Sequence, residues 1–150
     1  MDLDKSRLEN LIKEVLVEKL ATGGYHERQS ASGVMAVKVP QIRVYESDRL
    51  DTGVSSDIVY TKDLFTLEES PRLGCGIMEM KNTTFDWTLN YDEIDYVIEG
   101  SLSIIINGET VTAGPGEVIL IPKGSRIKFS VPEYSRFIYV TYPADWAGQA

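Results

Sequence analysis

The chain has 150 residues, 43% of them apolar, which suits one domain with a real core. Fifteen basic residues against 23 acidic ones leave a formal charge of −8, which argues against a nucleic-acid role, because phosphate binding needs a positive footprint. The single cysteine, Cys75, rules out an internal disulfide and fits a reducing, cytoplasmic setting, and no apolar stretch is long enough to span a bilayer.

The first segment predicts an amphipathic helix. Leu8, Leu11, Ile12, Val15, Leu16 and Leu20 recur at three- and four-residue steps and form one apolar stripe. Asp4 or Ser6 serves as the N-cap, and Gly23 and Gly24 end the helix. The N-terminal residues MDLDKSRLEN are acidic and mixed, unlike a secretory signal. From Gly23 to Gly33, GGYHERQSASG is small and polar and reads as a linker. Residues 1–36 are therefore expected as helix plus flexible linker, and residues 37–150 as a separate β domain.

From about Val37 the pattern changes to short runs of β-branched and aromatic residues broken by Gly, Pro, Asn and Asp. Strands are predicted at VPQIRVYE, DIVYTK, LGCGIMEM, TFDWTL, IDYVIE, LSIIIN, ETVTAG, EVILIP, RIKFSV and RFIYVTY. Asn107-Gly108 is the strongest turn signal, because both residues tolerate the positive φ of a type I′ hairpin, so LSIII should pair with ETVTA. Short strands at even spacing argue for an all-β sandwich or barrel.

Two motifs then resemble those of the cupin superfamily. Glu93, followed by six residues and Gly100, matches the second half of the first cupin motif. GEVILIPKGSRI, from Gly116 to Ile127, matches the second, with Pro122 and Gly124 in place. The resemblance implies a cupin-type β-barrel, jelly-roll-like. In cupins the first motif supplies two histidines and a glutamate, and the second a third histidine. Here those three histidine positions hold Trp87, Leu89 and Ile127, whose side chains cannot ligate a transition metal. The usual cupin metal is therefore not expected, and the plainer reading is that these residues fill the core.

TLNYDEIDYVIEG, AGPGEVILIPKGS and RFIYVTYPADW, with SPRLGCGIMEM ahead of them, resemble the ethanolamine utilisation protein EutQ family. That resemblance implies cupins lacking the histidine triad, homodimers, and an acetate kinase activity that converts ATP and acetate to ADP and acetyl phosphate. It also implies no tightly bound cofactor, with Mg-ATP as a substrate. The alternative is non-catalytic: a cupin that binds a small ligand or helps assemble a microcompartment.

The residues themselves offer few parts for a kinase. There is no G-x-x-x-x-G-K-[ST] loop, and PKGS, Pro122 to Ser125, reads better as a barrel turn. Glu93 and Asp95 sit two apart on a predicted strand and so share a face. Two carboxylates can hold a hydrated Mg²⁺, so this pair is the candidate catalytic site. The plainer alternative makes Glu93 a buried remnant and Asp95 a solvated rim. Ile94, Tyr96 and Ile98 leave the opposite face apolar, and dimerisation or sheet packing would bury it. Tyr91, Tyr96 and Lys123 are candidate ligand contacts, and Tyr139 and Tyr142 could line or rim a cavity. Arg136 is a further candidate cation, whereas Arg126 and Lys128 flank an inward Ile127, so alternation sends them outward. Cys75 is expected as a small buried residue.

The N-terminal helix has two readings: packing on its own barrel or across a dimer, or an encapsulation peptide. Peptides of the second kind resemble LENLIKEVLVEKLATGG, an amphipathic helix before a linker, and would dock on shell or cargo proteins of a bacterial microcompartment.

Overall fold

The computed structural model describes residues 5–21 and 28–149. They belong to two compact units, Met1–Ser47 and Asp48–Ala150.

In the first unit, helix α1 runs from Lys5 to Ala21. The apolar stripe forms as predicted, and Leu8, Leu11, Ile12, Val15 and Leu16 all stay exposed. The Asp4 cap, the Gly23-Gly24 stop, the Leu20 side chain and His26 lie outside the described residues. The linker reading fails from Arg28 onward. Strands β1 (Arg28–Ala31) and β2 (Val34–Val37) form an antiparallel hairpin, with Ala31 opposite Val34. Ser32 and Gly33 at φ 51° and 83° make its two-residue turn. Polar composition disguised a Ser-Gly hairpin as linker. VPQIRVYE is not a strand either: Val39–Gln41 is a 3-10 turn, with Pro40 in its first positions, where a missing N–H costs nothing.

The second unit is one antiparallel sheet system built from β3 (Ile58–Asp63), β4 (Gly74–Thr88), β5 (Asp92–Gly100), β6 (Leu102–Ile106), β7 (Glu109–Ala113), β8 (Val118–Ile121) and β9 (Arg126–Tyr142). Two pairs of predicted strands turn out to be single long ones, β4 and β9, which pair along their length. Where the pieces join, Pro132 and Glu133 together oppose Asn82, whose φ is 43°. This is a β-bulge, which absorbs a proline that cannot donate to the ladder and bends the strand.

Strand β9 is the spine. Its first half pairs with β6, from Ser103 opposite Ser130 to Ile105 opposite Lys128, and its second half pairs with β5, from Gly100 opposite Ser135 to Asp92 opposite Tyr142. Strand β8 adds to β5, β7 adds to β6, and β3 adds to β4. The predicted Asn107-Gly108 turn is present, at φ 50° and 77°, and joins β6 to β7. The all-β, jelly-roll-like expectation holds. The hydrogen bonding is not a closed ring, because β3, β7 and β8 remain edges among the described strands. The inner faces enclose one apolar cluster that includes Met80, Phe85, Leu89, Val97, Phe129 and Phe137. Burying each such side chain stabilises the fold by about 1.5–3 kcal/mol.

Candidate functional site

Strand β5 sets the site through its two-residue period. Glu93, Asp95 and Val97 are buried, whereas Ile94 and Tyr96 are exposed, so the pleat sends both carboxyls inward. Asp92 pins the strand's start, accepting a 2.8 Å hydrogen bond from the Lys123 N–H. The next turn is tied down by Leu89, whose N–H donates to the Ser125 carbonyl at 3.0 Å and whose carbonyl accepts from Gly124 N–H at 2.7 Å. PKGS is thus the barrel turn expected of it.

Glu93 is 4% exposed and Asp95 is fully buried. Neither Asp95 oxygen nor Glu93 Oε1 has a hydrogen-bond donor. Two carboxylates can bond each other only through a retained proton, and burial favours keeping one. Desolvation pushes Glu93 up to about 7. Desolvation, then the neighbouring Glu93 charge, pushes Asp95 well above the ordinary carboxylate range.

The pair lies beneath an aromatic enclosure. An inner cavity of about 10 Å³, room for about one water, is lined by Glu93 with Phe85, Trp87, Tyr91, Phe129, Tyr139 and Trp146 among others. Trp87, Tyr91, Trp146 and Leu50 also line an outer recess of about 360 Å³, which Asp86, Thr88, Asn90 and Gln149 share. The Trp87 indole N–H donates to the Tyr91 hydroxyl at 2.7 Å. Tyr91 resists ionisation, first because it is buried and then because Glu93 is near. Tyr139 donates to Asp63 Oδ1 at 2.7 Å, and burial likewise holds its hydroxyl protonated.

Of the residues singled out in the sequence, the fold brings together Glu93, Asp95, Tyr91, Tyr139 and Trp87. It does not bring Tyr96 or Tyr142 to the cavity: both are exposed, on the opposite face or at the strand end. Lys123 is exposed in the turn, contributing its backbone rather than its ammonium. Arg126 and Lys128 point outward as alternation requires, and Lys128 pairs with Asp86 at 2.6 Å. Arg136 is buried but pairs with Glu79. Asp95 is the most buried of the set, not a solvated rim. Cys75 is only half-buried, with its thiol pushed up by desolvation and by Asp63.

The cupin metal positions do not fit a transition metal. Leu89 and Ile127 are buried in the core, and Trp87 packs edge-on against Phe85 with ring centroids 5.9 Å apart. Among the described residues no three His, Cys, Asp or Glu groups converge. Trp146 and Leu50 were invisible as site residues in the sequence. Trp146 sits 6.1, 6.3 and 5.9 Å from the rings of Trp87, Tyr91 and Tyr139. Its short stretch, PADW, carries no periodic signal. Among the described residues no helix is long and apolar enough to cross a membrane.

Comparison with known proteins places these features in context. The family model "Ethanolamine utilisation protein EutQ" matches residues 3–148. A relative from Clostridioides difficile, named "Acetate kinase EutQ", is 62% identical over 99% of this chain and 97% of its own. A Salmonella typhimurium relative of the same name is 40% identical over 95% of this chain, which spans 63% of that protein. The solved Clostridium difficile EutQ structure superposes with a TM-score of 0.82 at 71% identity, covering 83% of this chain and 92% of its own. A cupin superfamily protein from Desulfitobacterium hafniense shares the fold alone, at 13% identity and a TM-score of 0.50 over 57% of this chain and 77% of its own.

Proposed function

Because this chain belongs to the ethanolamine utilisation protein EutQ family, we propose that it carries the acetate kinase activity named for its 62%-identical relative. In that reaction an acetate oxygen attacks the γ-phosphorus of ATP, the bond to the bridging β–γ oxygen breaks, and ADP leaves with the bond's electron pair. The observation that carries a site assignment is the buried Glu93–Asp95 pair: Glu93 lines the cavity, and its Oε1 and both Asp95 oxygens lack donors. Oxygen ligands of this kind suit the hydrated Mg²⁺ that arrives with ATP. Among the described residues no Lys or Arg lines either the inner cavity or the outer recess. Neutralising the phosphoryl charge therefore falls to that metal, which phosphoryl transfer requires in any case. Tyr91 lies close to Glu93.

The test is an assay of purified protein with ATP, Mg²⁺ and acetate, scored for acetyl phosphate and ADP. A rate no higher than a mock preparation defeats the enzyme reading and leaves a non-catalytic ligand-binding cupin, which the aromatic enclosure favours. A rate unchanged in the Glu93→Gln/Asp95→Asn double variant moves the site elsewhere.

The working form is a homodimer. The support is an exposed apolar face on β5, β8 and the end of β9: Ile94 opposite Leu120, Tyr96 opposite Val118, and Tyr142. Exposed contiguous apolar patches of this kind mark interaction surfaces. The exposed stripe of α1 serves as an address to a microcompartment, docking its apolar face on a shell or cargo protein.

A further inference from the structure

The inner cavity has a chemical preference that the kinase reading does not use. Glu93 lines it, and the Oε1 of that carboxyl is buried without a hydrogen-bond partner. An uncompensated buried acceptor of this kind is costly, and a donor from a ligand offsets that cost. Its walls are aromatic. Trp87, Tyr91 and Tyr139 meet Trp146 at interplanar angles of 60°, 55° and 76°, so none of the three lies flat against it. Ring faces attract cations, and most strongly where water is excluded. Among the described residues no Lys or Arg lines the cavity to compete with a bound cation for the carboxyl.

Size then narrows the ligand. The inner space is about 10 Å³, enough for about one water. A primary ammonium head is the size of a water and brings three N–H donors. A quaternary ammonium is too large for that space and has no donor for Glu93. An anion meets a carboxylate with no counter-cation. A neutral alcohol fits but gains nothing from the rings or from the charge. The outer recess of about 360 Å³, with Thr88, Asn90 and Gln149 on its rim, leaves room for a short substituent on the amine.

We propose that the cavity beneath Trp146 binds small primary ammonium compounds, with the head group on Glu93 and within the walls of Trp87, Tyr91, Tyr139 and Trp146. The inference stands apart from the kinase reading. Both occupants are cations drawn to the same carboxyls, so an amine and Mg²⁺ exclude each other there.

The experiment is a calorimetric and tryptophan-fluorescence titration of the full chain without ATP or Mg²⁺. The probe is ethylammonium chloride, and tetramethylammonium chloride, sodium acetate and ethanol are run at equal ionic strength. The expected result is a saturable response to ethylammonium alone, weakened at least tenfold in Glu93→Gln. The fluorescence reports directly, since both tryptophans of the chain, Trp87 and Trp146, line the site. Circular dichroism checks that Glu93→Gln is folded. Should it not be, Trp146→Leu, a change outside the strands, takes its place with an expected loss of threefold or more. No saturation, an equal response to tetramethylammonium, or unchanged affinity in the folded variant overturns the proposal. A failed titration leaves the kinase assay untouched, and a failed kinase assay leaves the titration untouched.

Discussion

Gly76 and Tyr139 face each other across β4 and β9, and the tyrosine occupies the space a side chain on Gly76 would need: a Cβ there would lie 2.0 Å from the Tyr139 hydroxyl. The next residue in the same cross-strand row is Asp63, which pairs with Gly76 on β3 and accepts the tyrosine's hydrogen bond. On the other side of Tyr139 the row continues to Asp95. One missing side chain thus lets a tyrosine ring span two strands, from beside the buried carboxyl pair to an exposed aspartate at the sheet's edge.

Gly76→Ala should therefore destabilise the protein by about 1–3 kcal/mol, the usual cost of forcing extra volume into a packed interior. The clash has a named partner, so it should be relieved by removing that partner. In a double-mutant cycle by urea denaturation, Gly76→Ala combined with Tyr139→Ala should cost less than the sum of the two singles. Strict additivity would mean that the ring does not fill the glycine's space.

The Glu93 carboxyl implies a pH dependence of defined sign. It rises from an ordinary 4.5 to about 7 on folding. Between those values the folded chain holds a proton that the unfolded chain releases. The group's contribution is therefore favourable at and below about 4.5, shrinks as pH rises, and is gone above about 7. Asp95 acts in the same direction. Urea midpoints at pH 5 and pH 8 should differ less in Glu93→Gln than in the wild type, and equal differences would show that Glu93 does not titrate this way.

In the proposed homodimer, the outer face of β5 and β8 would form the interface. Ile94 and Leu120 are opposite each other and 44% and 66% exposed. Ile94→Lys combined with Leu120→Lys should convert the dimer to monomer in light scattering. As surface changes, they should alter monomer stability by no more than about 0.5 kcal/mol each. A wild-type protein that is monomeric at micromolar concentration, or a variant that stays dimeric, rejects this face as the interface.

Helix α1 presents Leu8, Leu11, Ile12, Val15 and Leu16 with none of them buried. A fluorescent protein fused to residues 1–24 should collect with shell proteins in shell-forming cells. Leu11→Glu with Val15→Glu should return it to a diffuse distribution. Diffuse fluorescence from the unmodified fusion removes the address reading.

Much of the β unit was legible because its signals are local. The Asn107-Gly108 turn needs only two residues with positive φ, and the shared face of Glu93 and Asp95 follows from a period of two. The replaced histidine positions were also legible, since side-chain identity alone decides whether a lone pair is present. The hairpin at Arg28–Val37 was not, because four-residue strands of mixed polarity carry too little pattern to separate from linker. Nor was the continuity of β9 through Pro132. Proline ends a strand on local grounds, and only the facing Asn82 shows that a bulge accommodates it.

The sequence by itself determined the Asn107-Gly108 hairpin, the shared face of Glu93 and Asp95 and the loss of the metal ligands, because each depends on residue identity and near neighbours. The tertiary structure decided which side chains meet. Trp146 closes over Trp87, Tyr91 and Tyr139 from a segment without periodicity. Lys123 and Tyr96, plausible by type, point elsewhere. Asp95 is wholly buried because β9 and β8 flank it on both sides. Burial is a sum over distant parts of the chain, so the property that makes Glu93 and Asp95 chemically unusual exists only once those strands have come together.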